Sequence, residues 1–461
     1  MSSAITPKVR AVENMVSRAR AKTKINTGSA CPVCHVALWI SVLFDGTGNH
    51  REKDFPKNHS NVAALFDAHN QEPERGVSAL YYEGLGRQFA FKDRYEEVKV
   101  PARGGTYTSK REGYAESDGR VLGLGFADGI TERLEKALFD FCKTVDDWRG
   151  QRRVDEINIA AFGFSRGATE ARAFIHWLAA HSKVKIQGAS LSYEGIPLNI
   201  KFLGLFDTVE SVGMAGTNKL PDLIKTKVPG YVQKCTHIVA AHELRDAFPL
   251  TVVNGNHRCV VYPGAHADIG GGYAAQQQGR SAALARIALL QMLDEARGAG
   301  LKMLSVGEMK SSDEWEKSYK PSFEVPSEAI AALNRYMAEV KPSGTVAQHF
   351  QSHLTPYWKW IDSGMAMADV QIKQKADQHH AERQAEYQRM RHMLRFQART
   401  PQGRGEGGGT VDSNAVAKSI ADFYSRYVHD SFEHFSATGG TLQNDLSTPD
   451  YYHLRQLNQP V

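Results

Sequence analysis

No uninterrupted apolar run in this chain reaches the ~18 residues that a membrane-spanning helix needs. A secretory signal is also lacking, because residues 1–30 are polar and basic with no apolar stretch. Charge is close to balanced, with 56 Lys and Arg against 51 Asp and Glu, a net +5. That surplus is too mild to mark a nucleic-acid binder, and it permits contact with anionic lipid without requiring it. Cysteine is scarce: only Cys31 and Cys34 of the five stand close together, in Cys31-Pro32-Val33-Cys34-His35. A structural zinc site would need a second such pair, and none follows, so reduced thiols are the simpler reading and neither metal nor cofactor is expected. No internal repeat is present. The 461 residues suggest two to three domains.

The most informative stretch runs from Val154 to Trp177. Small and β-branched residues from Ile157 to Phe162 lead into Gly163-Phe164-Ser165-Arg166-Gly167. Ala168, Ala171, Ile175 and Leu178 then repeat at helical spacing. Strand, sharp turn and helix around G-x-S-x-G is the setting of a serine nucleophile, and the two glycines leave room for the turn. The competing reading is a Gly-rich turn whose Ser merely caps the helix.

Around this stretch, Val36–Phe44, Leu80–Tyr82, Ile200–Phe206 and Cys259–Tyr262 read as strands, and Tyr231–His242 is ambiguous. Asn61–Ala68, Ile130–Trp148 and Ser281–Gly300 read as helices, and residues 87–127 as a long loop. Strands alternating with helices to about residue 305 predict an α/β fold with a doubly wound, mostly parallel sheet. Residues 306–400 are helix-prone, with the aromatic island Tyr357-Trp358-Lys359-Trp360-Ile361. Residues 401–412 read as a linker, and Val416–Phe435 as one helix. The predicted boundaries are an N-terminal arm (1–35), a catalytic domain (36–305), a helical lid or membrane-engaging region with linker (306–415), and a C-terminal helix and tail (416–461) that packs back on the core. The island has two readings, rim of a lipid-binding cleft or core of a helical domain.

A serine hydroxyl needs a base, and the base an orienting acid. Asp207 ends an apolar strand downstream of Ser165, and His266 follows in a Gly-rich loop after another strand, giving the order Ser, Asp, His. The rivals are Asp268, Asp246 within His242–Phe248, and His429. The oxyanion donors expected are the N–H of Arg166 and the Asp45-Gly46-Thr47 turn, through Gly46 and Thr47. A phosphatase reading of Phe44-Asp45-Gly46-Thr47 fails, because its motif needs an Asp where Leu43 stands.

Four motifs recur together in one order: Phe44 to Asn49, Gly163 to Ala168 with Ala171-Arg172, Phe206 to Val209, and Pro263 to Tyr273. Over roughly residues 37–300 the chain resembles the α/β-hydrolase domain of bacterial type VI secretion phospholipase effectors of the first lipase-effector class. Ala265 and Ala267 beside His266, and the segment 242–248, depart from the usual pattern. The resemblance implies a phospholipase A (A1 or A2) that cleaves glycerophospholipid acyl esters through an acyl-Ser165 intermediate, with Asp207 and His266 completing the triad. It also implies synthesis in the cytoplasm without a signal peptide and delivery to the periplasm of a rival bacterium. The implied partners are that cell's phospholipid membrane, a cognate immunity protein and a secretion spike or adaptor. The alternatives are an esterase or thioesterase for soluble substrates, and a non-catalytic binding protein on the same scaffold.

Overall fold

The computed structural model describes residues 4–5, 35–70, 72–86, 89–102, 105–116, 125–210, 224–245, 248–363, 365–366, 380–397, 416–432, 455 and 457–461. Cys31, Cys34, Asp246 and the linker at 401–412 lie outside the described residues.

The strands are β1 (Ala4–Ile5), β2 (His35–Phe44), β3 (Val77–Tyr82), β4 (Phe89–Ala102), β5 (Gly105–Glu116), β6 (Arg153–Phe164), β7 (Val184–Gln187), β8 (Ser190–Tyr193), β9 (Ile196–Phe206), β10 (Cys235–Ala240), β11 (Leu250–Thr251), β12 (Arg258–Tyr262) and β13 (Leu457–Asn458). The central sheet has the order β1-β12-β10-β9-β6-β2-β3, parallel throughout, with β8 and then β7 added antiparallel beyond β9. The long apolar runs of β2, β6 and β9 follow from burial on both sides. Leu38, Ile40, Val42 and Phe44 enter one core with the helices α1 (Gly125–Arg149) and α2 (Arg166–Ala180). Leu43, Phe162, Phe202 and Phe206 enter the other, under α3 (Ala283–Gly298) and the C-terminal helices.

Strand order reverses between β2 and β6: the chain proceeds from β2 outward to β3, then from β6 to β9, β10 and β12 on the opposite side. In open α/β sheets, ligands bind beyond the strand C-termini at such a reversal. Register aligns the ends there. Phe44 lies opposite Gly163, Phe164 opposite Phe206, Phe206 opposite Ile238, and Ala240 opposite Tyr262. Asp45, Ser165, Asp207 and the Pro263–His266 turn therefore emerge along one edge.

The expected loop at 87–127 is corrected: β4 and β5 form an antiparallel ribbon, with Val100 opposite Tyr107 and Val98 opposite Ser109. Scattered Gly, Lys and Arg hide the β-formers in this stretch, and cross-strand hydrogen bonds supply what weak periodicity did not signal. The β7–β8 hairpin was likewise not anticipated.

Past two short helices, Val306–Lys310 and Lys320–Phe323, the described residues of the C-terminal part include α4 (Ser327–Val340), α5 (Val346–Asp362), α6 (His380–Gln397) and α7 (Lys418–Tyr427). The last is shorter than the helix expected over 416–435. It stops because the next amides are used elsewhere: His429 N–H donates to Asp268 Oδ2 and Asp430 N–H to Gln278 Oε1. In the aromatic island, Tyr357, Trp360 and Ile361 are buried, and Trp358 and Lys359 are half-buried. Tyr357 and Trp360 pack on Tyr424 of α7, with centroids 5.3 and 5.4 Å apart. Those three side chains are core. Among the described residues no helix is long and apolar enough to cross a membrane.

Candidate active site

Ser165 stands between β6 and α2 at φ 59°, ψ −126°, a conformation L-residues adopt at a cost of about 1–3 kcal/mol. Packing around the turn sets the cost of relaxing it. A Cβ on Gly163 would lie 2.2 Å from the carbonyl oxygen of Gly167, and one on Gly167 would lie 2.3 Å from that of Phe44. The Ser165 N–H donates to Phe206 O (3.0 Å) and its carbonyl accepts from Val209 N–H (3.2 Å), so the turn is tied to the end of β9. The hydroxyl makes no capping bond to α2, although Ser165 occupies the cap position.

Asp207 follows β9, itself at φ 43°, with no exposed side-chain surface. Its Oδ2 accepts from His266 Nδ1 at 2.5 Å. Its Oδ1 accepts from Ala240 N–H (2.9 Å) and from Arg455 Nη1 (2.6 Å). Burial alone would raise this carboxyl's pKa, but the Arg455 charge, followed by His266, outweighs burial and holds it well below the ordinary carboxylate range.

His266 opens the short segment His266–Gly270. Its backbone N–H donates to Glu243 Oε2 (3.2 Å), and its ring packs against Phe164 (4.6 Å) and Phe248 (5.0 Å). Burial lowers its pKa, against the pull of Asp207, leaving a neutral imidazole that can accept a proton. Phe164 is wedged here. A Cβ on Gly270 would come within 2.0 Å of its ring and one on Gly46 within 2.4 Å, which accounts for both glycines. The charged segment after β10 is not helical over 242–245. Glu243 is buried and forks onto Arg245, with Nε–Oε1 and Nη2–Oε2 both 2.8 Å.

Two of the three rivals, Asp268 and His429, meet each other. His429 Nδ1 donates to Asp268 Oδ1 at 2.6 Å, with both side chains fully buried. Asp268 Oδ2 also accepts the backbone N–H of Ala265 (2.9 Å) and of His429 (3.0 Å), and Tyr273 stacks on the His429 ring at 4.2 Å. Two Asp–His pairs therefore flank the His266 turn, and the second straps the C-terminal segment to it.

On the facing turn, Asp45 accepts from Gly46 N–H (2.7 Å), Ser60 Oγ (2.8 Å) and Tyr81 Oη (2.5 Å). The Asp of the Phe44–Asn49 motif thus braces the turn, and the Gly46 N–H, expected as an oxyanion donor, is engaged with it. Thr47 beside it has a buried hydroxyl with no hydrogen-bond partner. Arg166 supplies the first N–H of α2. No cluster able to hold a metal ion occurs among the described residues.

The family model of the type VI secretion system (T6SS) phospholipase effector Tle1-like catalytic domain matches residues 39–194 and 185–295. This chain belongs to that family. The match covers all the site residues named above except His429 and Arg455. A crystal structure of an uncharacterized protein from Pseudomonas aeruginosa superimposes with TM-score 0.55 at 19% identity, over 100% of this chain and 70% of that one, a likeness of fold. The Tle1 effector solved bound to the VgrG spike of the type 6 secretion system matches at TM-score 0.43 and 18% identity, over 73% of this chain and 85% of that chain. No curated protein matches.

Sequence reasoning missed Arg455 and Glu243. Arg455 lies 248 positions from Asp207, in a stretch with no motif, so only the folded chain joins them.

Proposed function

We propose that this Tle1-like chain is a serine phospholipase A on an α/β-hydrolase-type scaffold, hydrolysing acyl esters of glycerophospholipids at the A1 or A2 position. One observation carries the reading. Ser165 sits on a strained turn at the sheet's reversal point, and the next strand end holds Asp207 paired to His266 at 2.5 Å. Ser165 Oγ attacks the ester carbonyl carbon while His266 Nε2 takes its proton, and Asp207 holds the imidazole by Nδ1. The tetrahedral oxyanion is stabilised by the N–H of Arg166 and by the Thr47 turn. Collapse breaks the bond to the lysophospholipid oxygen, which leaves with the proton from His266. Water, deprotonated by His266, then attacks acyl-Ser165 and releases the fatty acid and the serine.

Residues 36–305 form the catalytic domain on this reading. On the same reading residues 306–415 are a lid or membrane-engaging region with its linker, and 416–461 a C-terminal segment that packs back on the core. Family membership supports delivery by the type VI apparatus, with a spike or adaptor carrying the chain, a rival's periplasm as destination and an immunity protein guarding the producer. Purified protein incubated with phospholipid vesicles should release fatty acid and lysophospholipid, and Ser165→Ala should release neither. Cleavage of short soluble esters alone would reduce the reading to an esterase.

A further inference from the structure

We infer that Arg455 is a positioning residue for this hydrolysis, fixing Asp207 as a single-acceptor partner of His266 and setting the pH range in which His266 acts as a base. The inference rests on the triad reading above.

The guanidinium is 1% exposed and makes contacts on three elements of the site. Nη1 donates to Asp207 Oδ1 (2.6 Å) and to Ala240 O at the end of β10 (3.3 Å). Nε donates to Phe248 O (2.7 Å), and the Phe248 ring lies 5.0 Å from His266. With Arg455 and Ala240 N–H both on Oδ1, Oδ2 is left to the imidazole. A carboxylate lacking these donors would be free to rotate and carry His266 with it.

Holding the tail does not require this charge. The tail is already fixed by parallel pairing of β13 with β11, and by Val461 O accepting from Thr226 N–H (2.7 Å) and Lys227 N–H (2.8 Å). A buried guanidinium is an expensive anchor unless its charge is answered, and here Asp207 answers it.

The charges around the base are few. His266 faces Asp207 from the end of β9, and Glu243 and Arg245 from the segment after β10. Asp207 faces Arg455 and His266, with His237 of β10 and Cys259 of β12 also within its field. Glu243 and Arg245 neutralise each other as a pair. Asp207 is offset by Arg455, so removing Arg455 leaves a net negative charge beside the imidazole and favours its protonated form.

The test is kcat/KM against pH on a soluble short-chain ester, for wild type, Arg455→Gln and Arg455→Lys, with melting temperatures recorded. Arg455→Gln should raise the apparent pKa of the acid limb by about one unit or more. It should also lower the plateau about 10- to 100-fold through kcat. Arg455→Lys keeps the charge but not the fork, so its acid limb should stay in place while kcat falls. An acid limb of Arg455→Gln that coincides with wild type overturns the assignment. Should that variant not fold, Arg455→Lys decides. Wild-type kcat overturns the assignment, and reduced kcat with an unmoved limb and unchanged melting temperature supports it. Ser165→Ala and His266→Ala run alongside: activity in either defeats the triad reading itself. Inactivity in both with an unshifted Arg455→Gln limb defeats the Arg455 assignment alone.

Discussion

Gly167→Ala would place a methyl group where the serine turn meets the neighbouring strand end. Its Cβ would lie 2.3 Å from Phe44 O and 2.4 Å from Asp45 O, both backbone atoms. That is about 1 Å short of the closest ordinary carbon–oxygen contact. Neither carbonyl can swing aside like a flexible side chain, because Phe44 is paired in β2 and Asp45 is held by its donors from Gly46, Ser60 and Tyr81. The turn carrying Ser165 or the turn carrying Thr47 must therefore move by several tenths of an ångström. Overpacking of this kind costs about 1–3 kcal/mol. In a domain the size of residues 36–305 that corresponds to a fall of about 2–5 °C in melting temperature. Displacing the nucleophile from its oxyanion donors by such a distance should cost up to about 100-fold in kcat/KM. Gly230→Ala, where a Cβ would meet nothing within 4 Å, is the matched control and should change neither quantity. Thermal melts and ester hydrolysis on both variants are sufficient. Wild-type stability and turnover in Gly167→Ala would refute the packing of the turn described here.

Three further outcomes are expected. Burial lowers His59, His69 and His242 to about 4, so between about pH 6.5 and 4 the unfolded chain binds protons that the folded chain does not. Asp45, raised by burial to about 6, works in the opposite sense, as do Asp67, Glu210 and Glu386, but the histidines lowered by burial, which also include His176, His237, His266, His349 and His353, outnumber these carboxyls. The melting temperature should therefore fall as pH drops from 6.5 to 4, and a flat profile would contradict the burial of these rings. Trp360→Ala should lower stability by about 3–5 kcal/mol and reduce hydrolysis of vesicles and short esters together. Loss on vesicles alone at unchanged melting temperature would make that side chain a lipid contact. His429→Ala leaves Asp268 buried without its side-chain partner, so the variant should be less stable by about 3–5 kcal/mol yet keep measurable turnover, whereas His266→Ala should be inactive. The reverse pattern would transfer the base to His429.

Much of the sheet was legible because parallel strands covered on both faces must be apolar along the covered stretch, as in β2 and the second halves of β6 and β9. The serine turn was legible through its two glycines, whose lack of a Cβ the structure explains atom by atom. Asp207 and His266 were legible as polar residues just past strand ends, and the fold brings them into contact. Asp268 and His429 were each visible as rivals, but 161 residues separate them and their mutual pairing had no local signal. Arg455 was invisible for the same reason. The 89–116 ribbon was missed because pairing between its own strands stabilises it, and such pairing does not need a clean alternation of apolar and polar residues. The aromatic island was readable as either rim or core, and nothing local decided between the two. Its burial depends on Tyr424, which reaches it from α7 far along the chain.

The central claim is that Ser165 is a nucleophile activated by His266 and Asp207. Labelling by a serine-reactive fluorophosphonate, followed in time and mapped by peptide mass, tests it most directly. The account predicts one modified site, Ser165, with no label on Ser165→Ala. Labelling of folded His266→Ala and Asp207→Asn should be slowed by several orders of magnitude. A wild-type protein that stays unlabelled, or a label that persists on folded Ser165→Ala, would contradict it.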